Sequence, residues 1–395
     1  MTNYSDKPFT TWDVVDFFSG CGGMSYGFHT VGEQTGQFRM VAAFDNDRHA
    51  NATYRRNLGI QPFATDIANA EINEIERLMV LGGRKKQNPL IVIGCAPCQG
   101  FSSHRKKDPR KDGRNSLVGK FGEIAVGLRP DAIIMENVPD LLARKHWSHY
   151  QNFLNILNDN GYKISSGILN FAEFGVPQER HRAVVIAAKG FQPSMPSGFL
   201  GRDAFRTVRD AIGSLPPLKA GETSVVDVMH QTSNHRPSTL EIIRTVPKNG
   251  GSRPAGVGPA CLDRVKGFYD VYGRLRWDRP AVTITARCRT PSCGRFVHPE
   301  QDRGLSVREA GLLQGFPSDF EFEGPFDDKF KQVGNAVSPI FSKRLAGHVL
   351  EILSGKGRTV EQTKQTLERP TFKSYSGSIA RLKLKDPDKV ELIAE

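Results

Sequence analysis

Cysteine is scarce in this sequence, and long apolar runs are absent. Six cysteines in 395 residues are too few for a disulfide framework, so we expect free thiols in a reducing compartment. No apolar run approaches the roughly 20 residues that cross a bilayer. The polar start from Met1 to Trp12 does not resemble a signal peptide, and there are no internal repeats. These absences exclude a secreted disulfide scaffold and predict a soluble, cytoplasmic protein.

Positive charge is in excess and unevenly distributed. Lys and Arg outnumber Asp and Glu by 54 to 42, for a formal net charge of +12. Such an excess favours an anionic partner such as nucleic acid, although it is also a common solubility device. Residues 191–300, which we call the basic span, carry 16 Lys and Arg against 9 Asp and Glu, a net of +7. We predict that the basic span forms a second, smaller domain.

Short apolar runs alternate with longer amphipathic stretches between residues 13 and 188. Runs that are apolar throughout are typical of parallel strands covered on both faces by helices. They predict a doubly wound, mostly parallel α/β sheet. The runs span residues 14–18, 41–44, 90–93, 132–135 and 183–186. Among the helices, we predict one that stops at Asn160-Gly161, one opened by a capping box at Ser306 and Glu309, and one opened by Ser338-Pro339.

Four of the predicted strands end in glycine or polar residues. These ends are Ser19–Gly23, Asp45, Cys95–Cys98 and Glu136–Asn137. The carboxyl ends of the strands of an open parallel sheet share one edge, and ligands bind there. We therefore expect all four groups to face one cleft.

The first strand end predicts a tight turn into a helix whose N–H groups receive a charged ligand group. It is not the dinucleotide fingerprint, which needs glycine where Ser25 stands, and this argues against a nicotinamide-dependent dehydrogenase. A turn without a ligand stays open. Asp45 suits ribose hydroxyls, and Asp66-Ile67, at the next predicted strand end, suits an adenine amino group. Together these positions indicate an adenosine-containing cofactor.

Cys98 is a candidate nucleophile. It follows a buried strand and Pro97 and precedes a basic loop, residues 102–114, whose positive charge would lower the pKa of the thiol. Cys95 and Cys98 also form a C-x-x-C pair, so a zinc half-site, a redox pair and an inert buried thiol remain alternatives. Glu136 suits proton donation to a heterocycle nitrogen if it is desolvated, and a solvated strand-end acid is its alternative.

Six segments, in this order, resemble the motifs of prokaryotic DNA cytosine-5 methyltransferases. They are Asp16–Gly23, Pro97–Gln99, Glu136–Val138, Gln178–Arg182, Arg308–Pro317 and Gly334–Val337. The resemblance implies the Rossmann-like fold of class I S-adenosylmethionine-dependent methyltransferases. It implies a catalytic and cofactor-binding domain at residues 1–190, to which residues 301–355 return, and a target-recognition domain at residues 191–300. Residues 356–395 are a tail of unknown order.

The family's reaction moves a methyl group from S-adenosyl-L-methionine to carbon 5 of cytosine in duplex DNA and releases S-adenosyl-L-homocysteine. The resemblance implies that Cys98 adds to carbon 6 of a flipped-out base while Glu136 hydrogen-bonds ring nitrogen 3. Arg182 would contact the base oxygen and Arg180 would brace the site. The implied catalytic residues are Cys98, Gln99, Glu136, Arg180 and Arg182.

The resemblance also implies the residues that bind the other molecules. The cofactor residues are Asp16, Phe17, Phe18, Ser19, Gly20, Gly22, Gly23, Asp45, Asn46, Asp66, Ile67, Pro97, Asn335 and Ala336. The DNA residues are Ser102, Ser103, Arg105, Arg114, Arg274, Arg276 and Thr285. Asn46 departs from the family pattern, because many members carry an aromatic residue there. We expect no metal, a monomer, and a cognate restriction endonuclease as a further partner.

Two other functions stay open. A tRNA cytosine-5 methyltransferase shares the catalytic motifs, although the length of the basic span favours duplex DNA. A non-catalytic DNA-binding regulator keeps the same fold. The presence of Cys98, Glu136, Gln178 and Arg182 argues against such a regulator.

Overall fold

The computed structural model describes residues 10–97, 117–144, 146–264 and 270–356. Within these ranges the chain alternates strands and helices up to residue 189 and is mainly helix and loop thereafter. The strands are β1 (Trp12–Phe17), β2 (Phe38–Phe44), β3 (Leu90–Gly94), β4 (Ala132–Asn137), β5 (Tyr162–Asn170) and β6 (His181–Lys189). The helices are α1 (Gly23–Thr35), α2 (Arg48–Leu58), α3 (Ile72–Leu81), α4 (Leu117–Gly127), α5 (Trp147–Asp159), α6 (Val208–Ile212), α7 (Pro237–Thr245), α8 (Cys261–Arg264), α9 (Val307–Gln314), α10 (Phe326–Asn335) and α11 (Pro339–Leu353).

The six strands form one mixed sheet in the order β2-β1-β3-β4-β6-β5. Strands β1 to β4 are parallel, as predicted, and β6 is antiparallel to both β4 and β5. The expectation of a parallel strand at residues 183–186 is therefore wrong. An apolar run reports that a strand is covered on both faces, and it carries no information about strand direction.

The reversed direction of β6 has a direct effect on the site. Asn137, at the carboxyl end of β4, pairs with Ala183 near the start of β6. The residues that precede Ala183 therefore lie at the carboxyl edge of the parallel strands. In a parallel strand they would lie at the opposite edge, far from Glu136.

Two helical layers cover the sheet, and successive strand residues face them alternately. Val14 packs into a core with Phe28 of α1 and Phe341 of α11. Its neighbour Val15 packs into the opposite core, which contains Phe121 of α4 and side chains of α3 and α5. The arrangement is a Rossmann-like α/β fold, in agreement with the predicted fold class.

The helix boundaries that capping residues indicated are confirmed. Helix α5 ends at Asp159, followed by Asn160 and by Gly161 with φ of 80°. Both hydrogen bonds of the capping box at the start of α9 are present. Helix α11 begins at Pro339 as predicted, but the Ser338 hydroxyl makes no capping hydrogen bond.

The basic span contains only short helices and isolated β-bridges in the part that the structure describes. One of its two apolar clusters joins Val208 and Ile212 of α6 to residues of α9 and α10 and to Cys21. The other packs Ile243 and Val246 against Val271, Tyr272 and Val297. No helix among the described residues has both the length and the apolar character needed to cross a membrane.

Candidate active site

The chain leaves β1 through a turn with unusual backbone angles. Phe18 has φ of 56°, Gly20 52° and Gly22 90°, in the left-handed region that non-glycine residues rarely adopt. A Cβ at Gly23 would lie 2.2 Å from the carbonyl oxygen of Val337. Glycine at that position therefore lets the turn pack directly against the Asn335–Val337 segment, which joins two of the predicted cofactor segments.

Two polar atoms beside this turn are buried without a partner among the described residues. They are Asp16 Oδ1 and Ser19 Oγ. The other carboxylate oxygen of Asp16 accepts a hydrogen bond of 2.5 Å from Ser25 Oγ. Burial raises the pKa of Asp16 to about 8, with a smaller contribution from the negative charge of Asp45. A buried acceptor and a buried hydroxyl fit a ligand that presents both hydrogen-bond donors and acceptors.

Asp45 lies directly after β2 and orients the glycine-rich turn. Its Oδ2 accepts a hydrogen bond of 2.8 Å from the Gly20 N–H, and its Oδ1 accepts one of 2.8 Å from the Asp47 N–H. Burial raises the pKa of the Asp45 carboxyl. The structure therefore brings Asp45 and the turn together as predicted, while the side chain of the adjacent Asn46 is exposed.

Two of the predicted cofactor positions differ from expectation. Asp66 does not end a strand: the chain there makes one isolated bridge, between Phe63 and Phe44, and then enters a turn. The exposed Asp66 carboxylate accepts hydrogen bonds from Ala68 N and Asn69 Nδ2, and Ile67 is buried in the core. The side chain of Phe17 is also fully buried, stacked on Phe44, so it supports the sheet and does not face the cleft.

The turn that leads to Cys98 is held against β4. Asn137 donates from Nδ2 to the carbonyl oxygen of Ala96 at 3.3 Å, and Pro97 is partly buried beside it. Six predicted site residues lie outside the described residues: Cys98, Gln99, Ser102, Ser103, Arg105 and Arg114. The last described residue before them, Pro97, is at the same edge as Glu136.

Glu136 and Arg182 form an ion pair at this edge, with 3.1 Å between Glu136 Oε1 and Arg182 Nε. Glu136 is 7% exposed, and burial raises the pKa of its carboxyl above the usual range, although Arg182 and Arg180 oppose the shift. Glu136 is thus a desolvated acid, and the solvated alternative is excluded. The antiparallel direction of β6 places the two residues side by side.

Arg180 is buried and binds three backbone carbonyl oxygens. They belong to Ile284 at 3.0 Å, Gly334 at 3.3 Å and Ala336 at 3.0 Å. The guanidinium therefore joins the end of the basic span to the segment that follows α10. This position agrees with a bracing role and leaves contact with a substrate to Arg182.

Gln314 is a buried residue whose place in the site was not predicted individually. Its Oε1 accepts a hydrogen bond of 2.7 Å from Gln178, and its Nε2 donates to the Ala336 carbonyl oxygen at 2.6 Å. In the sequence, only its position within the Arg308–Pro317 segment indicated that Gln314 belongs to the site. Beside these bonds, the side chain of Asn335 is exposed and that of Ala336 is largely buried.

The described DNA residues fall into two kinds. Arg276 and Thr285 are exposed, although Arg276 is paired with Asp278 at 2.9 Å. Arg274 is fully buried, and its guanidinium donates to four backbone carbonyl oxygens and to Asp302. The prediction of a DNA contact by Arg274 is therefore wrong. Charge alone does not distinguish an arginine on the surface from a buried arginine that donates hydrogen bonds to backbone carbonyl oxygens.

The fold and the site together define a class of protein. It is a Rossmann-like α/β protein whose glycine-rich turn, buried acid and arginine collect at the carboxyl edge of the parallel strands. The family model for C-5 cytosine-specific DNA methylase matches residues 12–351. The chain belongs to this family, which confirms the resemblance drawn from the six segments.

Curated relatives and solved structures agree with that assignment. The chain is 35% identical to the Type II methylase M.HgiDII of Herpetosiphon aurantiacus, over 87% of this chain and 96% of the relative. It is also 35% identical to the Type II methyltransferase M1.HphI of Haemophilus parahaemolyticus, over 86% of each chain. A prophage-encoded E. coli protein described as a DNA modification methyltransferase superposes with a TM-score of 0.68 at 22% identity, covering 87% of this chain and all of the other. At that identity the superposition supports the fold alone.

Proposed function

We propose that this protein is a DNA (cytosine-5-)-methyltransferase that modifies one specific sequence in duplex DNA and serves as the modification half of a restriction-modification system. Family membership supports the reaction, and the Type II names of the bacterial relatives support the setting. The observation that carries the proposal is the desolvated acid Glu136, paired with Arg182 beside the turn that leads to Cys98.

Glu136 supplies the proton that makes the cytosine ring reactive. Carbon 5 of cytosine is a weak nucleophile until a group adds to carbon 6, and addition is easier when ring nitrogen 3 is hydrogen-bonded to an acid. A carboxyl whose pKa is raised by burial keeps its proton to a higher pH than a solvated carboxyl does, which favours this role. Arg182 lies at hydrogen-bonding distance from the same carboxylate and would contact the base oxygen.

Cys98 supplies the nucleophile. Its thiolate forms a sulfur–carbon bond at carbon 6, and the ring electrons move to carbon 5 while nitrogen 3 takes up the proton. After carbon 5 has gained the methyl group, loss of its proton and of the thiolate, with return of the nitrogen 3 proton to Glu136, restores the aromatic ring. The hydrogen bond from Asn137 to Ala96 supports this role, since it fixes the backbone two residues before the thiol. Gln99, the next residue in the sequence, is the other proposed catalytic residue of this segment.

S-adenosyl-L-methionine is the cofactor we assign, and when bound it supplies an electrophilic methyl group. The residues that would hold it are those of the glycine-rich turn with Asp45, Asn335 and Ala336. The unpartnered Asp16 Oδ1 and Ser19 Oγ fit a ligand of this polarity. Phe18, only partly buried, presents a ring beside the same turn. Asp66 is exposed and retains free acceptor capacity for an amino group.

Duplex DNA is the substrate we assign. A cytosine inside a duplex is out of reach of a thiol, so the base must leave the stack at a cost of a few kcal/mol. The basic span would form the target-recognition domain, with the exposed Arg276 and Thr285 as two of its DNA contacts. Ser102, Ser103, Arg105 and Arg114 remain proposed contacts from the basic loop after Cys98.

The test is methyl transfer by the full-length protein. Tritium from labelled S-adenosylmethionine should enter duplex DNA, and bisulfite sequencing of DNA from expressing cells should show 5-methylcytosine at one sequence. The Cys98→Ser variant should lose all transfer. DNA with 5-fluorocytosine at the target should form an adduct that survives denaturation with the wild type and not with the variant, because fluorine cannot leave as a proton does.

Cys261→Ser is the matched control, because Cys261 is exposed and is not one of the proposed catalytic, cofactor or DNA residues. It should methylate at the wild-type rate. Transfer to RNA and not to duplex DNA would replace the proposal by a tRNA methyltransferase. No transfer to either, with DNA binding intact, would identify a non-catalytic regulator.

A further inference from the structure

Five groups form a closed circuit of hydrogen bonds, which we call the buried ring. Its members are the side chains of Gln178, Arg180 and Gln314 and the backbone groups of Ile284 and Ala336. Gln178 donates to Gln314 at 2.7 Å and Gln314 donates to the Ala336 carbonyl at 2.6 Å. Arg180 donates to the carbonyls of Ala336 and Ile284, each at 3.0 Å, and the Ile284 N–H donates to Gln178 at 2.7 Å. All five residues are buried.

The ring holds two backbone segments that are remote in sequence. Ile284 is held on both sides of its backbone, the N–H by Gln178 and the carbonyl by Arg180. The carbonyl of Ala336 receives two donors, from Arg180 and Gln314. A Cβ at Gly334 would lie 2.0 Å from the Ala286 nitrogen, so the two segments are also in direct contact. A displacement of one segment must therefore move the other.

Each segment carries an exposed side chain next to its buried anchor. Thr285 follows Ile284, and Asn335 precedes Ala336. The proposed function puts Thr285 at the DNA and Asn335 at the cofactor. The buried ring then connects the two proposed binding surfaces, with two hydrogen bonds from anchor to anchor through Arg180 and three through Gln314 and Gln178.

We propose that Gln178 and Gln314 are positioning residues that couple cofactor binding to DNA binding. This inference rests on the proposed function. A ligand that contacts Asn335 fixes the Ala336 carbonyl, the ring then fixes the Ile284 peptide, and Thr285 is held in the orientation that DNA requires. By linkage, DNA strengthens cofactor binding by the same factor.

The hydrogen-bond partners of Gln314 keep other partners when its amide is removed. A positioning role can therefore be tested without leaving a buried polar group unpaired. Without it, the Ala336 carbonyl still accepts from Arg180, and Gln178 Nε2 still donates to the Leu313 carbonyl at 3.0 Å. A variant that lacks the Gln314 amide therefore leaves no buried donor or acceptor orphaned at these two partners. The variant removes the hydrogen-bonded link that Gln314 makes between Gln178 and the Ala336 carbonyl.

The experiment measures the coupling in the full-length Gln314→Met variant. The dissociation constant of S-adenosyl-L-homocysteine is measured by calorimetry with and without a short duplex that carries the modified sequence found by bisulfite sequencing. In the wild type we expect the duplex to tighten binding on the order of 10-fold, a usual size for such coupling. In the variant the ratio should fall clearly below the wild-type ratio, because only Arg180 and the direct contact at Gly334 still join the two segments. The affinity for each ligand alone should change by less than about threefold.

Gln332→Met is the matched control. Gln332 is buried and uses both amide atoms, accepting from Thr53 at 2.6 Å and donating to the Glu323 carbonyl at 2.8 Å, but it is outside the ring. It should lower the melting temperature and keep the coupling. If Gln314→Met does not fold, Gln314→Glu retains the acceptor for Gln178, loses the donor to Ala336 and should also reduce the ratio.

The outcomes are distinguishable. Wild-type coupling in a folded Gln314 variant overturns the assignment, and so does a wild type that binds both ligands without coupling. A wild type that binds neither ligand overturns the proposed function itself. Equal loss of coupling in the Gln332 control would make the effect a general consequence of a weakened fold.

Discussion

The sheet and the basic span place their polar residues by different means. In the sheet, backbone ladders fix the strands, and Glu136 and Arg182 take their positions from paired registers of β4 and β6. In the basic span ladders are nearly absent among the described residues, and buried or partly buried arginines bind the backbone carbonyls instead. Arg274 binds four of them, and Arg295 binds the carbonyls of Gly250, Gly251 and Arg274.

A buried charged side chain therefore indicates different roles in the two regions: chemistry at the end of a strand, and support of the backbone in the basic span. At the end of β4 the ladder already satisfies the backbone, so the burial of the Glu136 carboxyl points to chemistry. In a loop-rich region, carbonyl oxygens need donors, and an arginine with five N–H groups satisfies several at once. Positive charge in the basic span is therefore partly scaffold and only partly DNA surface.

The largest effect is expected at the strand end. Glu136→Gln removes the proton donor and should lower kcat by about 10²- to 10⁴-fold while the melting temperature changes little. Because burial raises the pKa of Glu136, wild-type kcat should fall as pH rises through that raised pKa. Tritium transfer over a pH series measures both effects. Glu123→Gln, an exposed acid on α4, is the control; a Glu136 variant as active as that control would contradict the assignment.

The next effect compares two arginines that are two residues apart. Arg274→Ala removes donors from four carbonyls and leaves Asp302 without one of its partners, so we expect a loss of about 3–5 kcal/mol in unfolding free energy. Denaturant unfolding followed by circular dichroism measures it.

Arg276→Ala is the matched variant for that comparison. Its exposed guanidinium is paired with Asp278 on the surface, so we expect less than about 1 kcal/mol of destabilisation. It should instead weaken DNA binding and reduce the salt slope of log Kd by about 1, the amount for one phosphate contact. Equal destabilisation by the two variants would mean that burial does not separate scaffold from surface here.

The smallest expected effect concerns folding stability, which should depend on pH in opposite ways through two buried carboxyls, Asp16 and Glu309. The pKa of Asp16 is raised from 3.8 to about 8, so the stability it contributes is complete below pH 3.8 and is lost as pH rises through 8. The pKa of Glu309 is lowered from 4.5 to about 2, against burial, by Arg303; its contribution is present above pH 4.5 and is lost as pH falls through 2. Urea unfolding at a series of pH values measures both.

Two variants assign these responses. Asp16→Asn should flatten the dependence of stability on pH between 4 and 8, and Glu309→Gln should flatten it between 4.5 and 2. If Asp16→Asn leaves the slope between pH 4 and 8 unchanged, Asp16 is not protonated in the folded protein. A Glu309 variant with the wild-type acid response would likewise remove Glu309 as its source.

Much of the sheet was predictable, because burial on two faces leaves a direct signature in sequence. Five of the six strands coincide with apolar runs. The edge strand β5 was missed, since Lys163, Ser165, Ser166 and Gly167 interrupt its apolar residues and an edge strand tolerates them. The pairing of β6 with β4 was also beyond the sequence, because direction depends on the connection and not on composition.

The site was predictable where a residue's task follows from its place at a strand end. Asp45 and Glu136 both occupy the expected edge. Asp66 lies in a turn and not at the predicted strand end, since the chain before it makes only one isolated bridge. Two positions implied by the family resemblance, Arg274 and Phe17, are fully buried, and their burial depends on packing partners distant in the chain. The buried ring was invisible for the same reason, since its two anchors, Ile284 and Ala336, are brought together only by the tertiary structure.

The β5–β6 hairpin also has a consequence for how the molecule assembles. Its strands are joined by a short connection, residues 171–180, so the hairpin is a local unit that forms without waiting for distant contacts. It carries Arg180 and Arg182 with it. The ion pair with Glu136 forms only when this hairpin is paired with β4, so the contact that joins the hairpin to the rest of the sheet also completes the acid–arginine pair.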